Sequence, residues 1–210
     1  MTSLGRSAAL VLLATIVGLA LPPRPAAAGA PMDQLKTQID RVLKVLDDPE
    51  LRKESHAKEK RTAVRKIAND IFDFNETARR SLGRHWQART PAEQTEFVEL
   101  FSDLLERSYL SKIELYGGEK IQFLSDSIEG GDQAKVLTKI VTKQGTEIPI
   151  EYRMHRKGDR WLVYDVIIEG VSLVSNYRTQ FNKIIQTSSY AELVKKMKTK
   201  QEELAAGTQS

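Results

Sequence analysis

The spacing of apolar residues changes period twice along this chain, and that double change leaves few folds open. Up to Gly117-Gly118 apolar residues recur every three or four positions, between there and Glu169-Gly170 they alternate every two, and beyond they return to the helical spacing. Helices, then strands joined by short turns, then helices again is the order of an α+β fold with a meandering antiparallel sheet. Alternating strands and helices would have meant a parallel one.

In the first block, Leu35, Ile39, Val42, Leu43 and Leu46 share one helical face and Asp47-Asp48-Pro49 stops it. A second helix starts near Ser55 and places Val64, Ile67, Ala68, Ile71 and Phe72 together, with Lys58, Lys60, Arg61, Arg65 and Lys66 around the rest. Asn75 is expected to cap a short third helix ending at Gly83. Thr90-Pro91-Ala92-Glu93 is a capping box with proline in the first turn, so a long helix follows, carrying Phe97, Phe101, Leu104, Leu105, Tyr109, Ile113 and Tyr116.

Four strands are expected from Ile121 and Phe123; Val136, Thr138, Ile140 and Thr142; Ile148, Ile150, Tyr152 and Met154; and Trp161 to Ile168. In the last of these, strict alternation puts Trp161, Val163, Asp165 and Ile167 on one face and Leu162, Tyr164, Val166 and Ile168 on the other. Both faces are mostly apolar, which requires cover on both sides. The apolar face of the long helix is expected to lie on the strand face of Ile148, Ile150, Tyr152 and Met154. A helix with Val174, Tyr177, Phe181, Ile184 and Ile185 follows, then one opened by the Ser189-x-x-Glu192 capping box. From Gln201 to Ser210 the chain reads as a disordered tail.

The N-terminus carries an address. Arg6 precedes an apolar run from Ala8 to Leu21, then Pro22, Pro23 and Ala26-Ala27-Ala28, the order of a secretory signal peptide cleaved after Ala28. At roughly 14 residues the run is short of the ~20 needed to span a bilayer, so export as a free protein is expected, without stable membrane insertion. Residues 29–200, a single domain, leave enough chain to bury a core. The absence of cysteine removes disulfides, thiolate metal sites and a lipidated N-terminal Cys. Taking Arg6 and Arg24 from the net charge of +4 leaves about +2 on the mature chain, too little to point to nucleic acid.

Catalytic chemistry is sparse. His56, His85 and His155 fall in different elements without ligand spacing, and phosphate loops, G-x-S-x-G elbows and H-E-x-x-H do not occur. No cofactor, metal or catalytic set is expected. Asp165 alone sustains an enzyme reading, as a buried carboxylate able to act as a general base; the alternative is that it accepts structural hydrogen bonds at the strand-to-helix junction.

Two sets of residues follow in a fixed order: Leu82-Gly83-x-x-Trp86, Thr90-Pro91-x-x-Gln94, Phe97-x-x-x-Phe101, Tyr109 and Tyr116-x-Gly118; then Trp161-x-x-Tyr164-Asp165-Val166-x-x-Glu169-Gly170-Val171-Ser172-Leu173. The pattern, from about Leu35 to about Lys200, resembles the MlaC or toluene-tolerance family of periplasmic phospholipid-binding proteins. The resemblance implies an NTF2-like cone whose curved sheet and helices enclose an apolar cavity. It also implies a shuttle for phospholipid between an outer-membrane lipoprotein/porin complex and an inner-membrane ABC transporter, maintaining outer-membrane lipid asymmetry; some relatives leave a hopanoid or other amphiphile open as ligand. The candidate lipid-facing residues are Phe101, Leu105, Tyr109, Ile113 and Tyr116 on the long helix, Ile150 and Tyr152 in the third strand, and Val166, Ile168, Val171 and Val174 near the Glu169-Gly170 turn.

Overall fold

The structure is a computed structural model that describes residues 30–114 and 116–207. The expected signal peptide, residues 1–28, lies outside the described residues. Four helices come first: α1 (Ala30–Asp47), α2 (Ala57–Ile71), α3 (Phe74–Leu82) and α4 (Pro91–Glu114). Strands β1 (Lys120–Glu129), β2 (Gln133–Val141), β3 (Glu147–Lys157), β4 (Arg160–Ile168) and β5 (Val171–Ser172) follow, then α5 (Leu173–Thr187) and α6 (Tyr190–Gly207). The sheet is an antiparallel meander in the order β1-β2-β3-β4-β5. The α+β class and the single sheet agree with the sequence; β5, two residues long, is one strand more than expected.

Local chemistry explains most boundaries. The box at the start of α4 is closed in both directions: Glu93 N–H donates to Thr90 Oγ1 at 3.2 Å and Thr90 N–H to Glu93 Oε2 at 2.8 Å. Ser189 Oγ accepts from Glu192 N–H at 3.0 Å at the start of α6. The cap of α3 is Asp73, not Asn75, its carboxylate accepting from Glu76 N–H at 3.1 Å. And α6 continues to Gly207, past the expected helix end near Lys200.

The described residues form two cores. On one face of the sheet α1 and α2 lay Leu35, Ile39, Ile67 and Ile71 over Ala134, Val136, Met154, Trp161 and Val163. The second core is purely helical: Ala78, Leu82, Phe97, Leu100, Phe101, Leu105, Phe181, Leu193 and Met197, from α3 to α6. Its centre is aromatic, Phe101 meeting Tyr177 and Phe181 edge-on with ring centroids 5.0 and 5.2 Å apart. The long helix α4 packs on α6 and α3. The expected contact between its Phe101 face and the Met154 face of β3 is therefore corrected: periodicity reveals that a face is buried, not against what.

A bulge corrects the facing of β4. Pairing slips between Arg153 and Met154, so Asp165 lies opposite Arg153 while Val163 lies opposite Met154, and Tyr164 is the extra residue. Trp161 and Val163 consequently share the α1/α2 face with Val166, and Asp165 turns to the opposite side, toward α5.

Candidate functional site

The sheet face beneath α1 is not packed evenly from end to end. Near the Gly130-Gly131 and Gly158 turns, Ala134, Val136, Met154 and Val163 are at most 3% exposed. Here the start of α1 is tied down, Gln34 accepting from Trp161 N–H at 2.9 Å. At the opposite end Ile140 pairs with Ile148 and Ile150 with Ile168. Of these four isoleucines Ile140, Ile148 and Ile168 are half-buried, and none belongs to either packed core among the described residues. Ile121, opposite Ile140, and Phe123, opposite Thr138, extend the same surface to β1 and are also half-buried.

Several candidate residues gather at this end. Ile150 (7% exposed), Tyr152, Val166 and Ile168 are on the face itself. Val171 follows the two-residue turn from β4 to β5, in which Glu169 and Gly170 take φ of 49° and 83°, and Val174 lies in the first turn of α5. Val171 is 58% exposed and stands at the rim, whereas Val174 is buried. Tyr116 approaches from the stretch before β1; burial pushes its phenol pKa up, and the Asp47 carboxylate at the end of α1 adds to the rise. Asp47 also lines a hollow of about 450 Å³ with Asp40, Leu43, Lys44 and Asp48. A second hollow, about 370 Å³, lies at the other end of α1 near Gln34, Met154 and Trp161. None of the candidate residues lines either hollow.

The candidates on α4 divide. Phe101 and Leu105 are interior to the helical core. Tyr109 packs at its margin near Tyr177, with a phenol pKa raised by burial first and by that neighbour second. Ile113, one turn on, is 38% exposed.

Asp165 is 4% exposed and both carboxylate oxygens are occupied. Oδ2 accepts from Ser172 Oγ at 2.7 Å and Oδ1 from Val174 N–H at 3.0 Å, while Arg153 Nη1 is 4.0 Å away. Ser172 Oγ in turn accepts from Ser175 N–H at 3.0 Å. The two side chains together cap α5, where a negative charge is favoured by the helix dipole.

A cluster that the sequence did not single out joins α3 to β3: Asp73 Oδ2 lies 2.9 Å from Lys157 Nζ and 3.2 Å from His155 Nε2. Burial pushes the Asp73 pKa up, but the Lys157 hydrogen bond, the Glu76 N–H and the charges of Lys157 and His155 outweigh it, and the net shift is downward. These partners are 82 and 84 residues apart in sequence, so no local motif announces them. Among the described residues no group of three or more His, Cys, Asp or Glu is placed to hold a metal ion, and no helix is long and apolar enough to cross a membrane.

The chain is similar to known proteins. The chain is 24% identical over 141 residues to an intermembrane phospholipid transport system binding protein MlaC of Haemophilus influenzae, spanning 65% of this chain and 66%, just under two thirds, of that one. It is 25% identical over 187 residues to toluene tolerance protein ttg2D of Pseudomonas putida, spanning 89% and 85%. A phospholipid-binding protein of Ralstonia solanacearum, solved in complex with a phospholipid, superposes with a TM-score of 0.72 at 24% identity over 83% of this chain and 98% of that one, which shows the fold. The family model described as MlaC protein matches residues 36–199, most of the chain including the isoleucine end of the sheet and nearly all of both cores, and the chain therefore belongs to the MlaC family.

Proposed function

We propose that this chain is a non-enzymatic periplasmic carrier of phospholipid, holding acyl chains against the isoleucine end of the sheet. It would move lipid between an outer-membrane lipoprotein/porin complex and an inner-membrane ABC transporter. The observation that carries the reading is the uneven packing of one sheet face: tight between Ala134 and Val163, and half-buried yet wholly apolar at Ile140, Ile148 and Ile168. Half-buried aliphatic side chains on an inward face are incomplete packing, which hydrocarbon from a guest completes. Membership of the MlaC family and the likeness to phospholipid-binding relatives support the lipid class.

The energetics suit a shuttle. Exposing some 30 methylenes of two acyl chains would cost about 24 kcal/mol at ~0.8 kcal/mol each, so a naked lipid does not cross water at a useful rate. In a bilayer those chains are already dry, and a site that merely matches the membrane exchanges lipid in both directions. An apolar surface with few polar groups is what that requires. Asp165 does not favour the alternative of a general base, because both of its oxygens are engaged in holding α5.

The test is direct. Lipid extracted from the purified protein should contain phospholipid by mass spectrometry, and the stripped protein should reload from vesicles. Protein that is folded but carries no amphiphile and takes none up would refute the proposal; a hopanoid in place of phospholipid would select the other ligand class.

A further inference from the structure

Thr138 is the one side chain on the helix-facing side of β2 that does not suit a hydrocarbon surface. It is 1% exposed, and its Oγ1 forms no hydrogen bond with any described group. A buried hydroxyl without a partner is disfavoured, and native structures rarely retain one without a use. Valine, of nearly the same shape, would fill the place at no such penalty. Thr138 lies opposite both Phe123 and Ile150, one step inward from the Ile121, Ile140, Ile148 row. Its diagonal neighbour on the same face is Tyr152, which lies opposite Val136 and Val166. The Thr138 hydroxyl is close enough to oppose the rise that burial imposes on the Tyr152 phenol pKa, yet the two are not in hydrogen-bond geometry. Two hydroxyls thus sit side by side in an apolar surface, just inside its open end.

Resting on the carrier function proposed above, we infer that the Thr138 and Tyr152 hydroxyls form a polar subsite that donates to an acyl ester carbonyl of the bound glycerolipid. The position is what the ligand's own chemistry demands. If the acyl chains lie on the sheet face and the phosphate stays in water at the rim, the ester carbonyls fall a short way below the rim. They are acceptors with no hydrogen of their own, so they need donors, and a hydroxyl is the smallest group that supplies one. A lipid without carbonyls would leave both hydroxyls unserved and would be discriminated against.

The experiment uses the stripped protein and mixed vesicles containing equal amounts of a diacyl phosphatidylglycerol and its dialkyl ether analogue, the same headgroup and chains without the carbonyls. Bound lipid is measured by mass spectrometry. The unaltered protein should load ester over ether about fivefold, the order of one neutral hydrogen bond. Thr138→Val and Tyr152→Phe should each bring the ratio of bound ester to bound ether toward one. Thr138→Ser, which keeps the hydroxyl, should retain the preference, and that rescue separates donation from packing. Equal loading of the two lipids by the unaltered protein, or a preference that survives both Thr138→Val and Tyr152→Phe, overturns the subsite and leaves the carrier standing. Failure to load either lipid overturns both.

Discussion

Replacing Asp165 separates a structural carboxylate from a catalytic one. In Asp165→Ala the Val174 amide and the Ser172 hydroxyl lose their acceptor. Val174 is 5% exposed, so water does not readily replace the lost partner. An unsatisfied buried amide costs about 1–3 kcal/mol, and losing part of a helix cap adds about 1 kcal/mol, for a total of about 2–4 kcal/mol. Ser172 can still accept from Ser175 N–H, which keeps α5 from losing its cap altogether. Asp165→Asn preserves one acceptor oxygen for Val174 and gives up the negative charge at the helix start, so about 1–2 kcal/mol is expected. Arg153 is not left without a partner, because its Nε already donates to Glu151 at 2.9 Å. For a chain of this size each kcal/mol lowers Tm by about 2–4 °C. Thermal and urea unfolding, paired with lipid loading per mole of folded protein, form the assay. Loss of loading in Asp165→Asn with an unchanged unfolding curve would refute the structural role, as would an Asp165→Ala variant as stable as the parent.

Four more predictions follow from the two cores, the Asp73 cluster and the close approach at Gly83. The Asp73 pKa is depressed below its ordinary 3.8, so its contribution is complete above that value and fades as pH falls through the lower folded-state pKa. Urea unfolding between pH 5 and pH 2 should lose stability over that range, and Asp73→Asn should flatten this part of the profile. Phe181→Ala opens a cavity among Phe97, Phe101 and Tyr177 and should cost about 3–5 kcal/mol in urea unfolding. Ile148→Glu, on the half-buried end of the sheet, should reduce lipid loading severalfold while shifting the urea midpoint far less than Phe181→Ala does; the opposite ranking would remove Ile148 from the ligand surface. Gly83→Ala should lower stability by about 1–3 kcal/mol, because φ is +57° and a Cβ there would lie 3.1 Å from Arg178 Cδ; an unchanged midpoint would count against the close approach of α3 and α5.

What could be read before the structure was whatever depends on neighbours in sequence. The period change at Gly117-Gly118, the reciprocal box of Thr90 and Glu93, and the short turns all rest on residues within a few positions, and all of them appear where expected. The β4 bulge did not announce itself. Tyr164 is as good a strand residue as any, and only pairing with β3 shows that it is the extra one. That single slip turned Asp165 toward α5 and Val166 toward α1. The partner of the α4 face was illegible for a related reason: a stripe of Phe97, Phe101 and Leu105 demands cover, and both Phe181 and Met154 would have met the demand. Thr138 was seen only as a strand residue, since its lack of a partner is a property of the folded environment.

Dividing the hydrophobic load between a helix-covered sheet face and a separate helical bundle has a mechanical meaning. Prying α1 away from β1 and β2 disturbs contacts made by Leu35, Ile39 and Leu43, and none made by Phe97 or Phe181. The α1 side of the molecule can therefore yield while the bundle of α3 to α6 keeps its shape. Hydrogen exchange should register the division as two populations of amides, with those of α1 opening at lower free energy than those of α4 and α5.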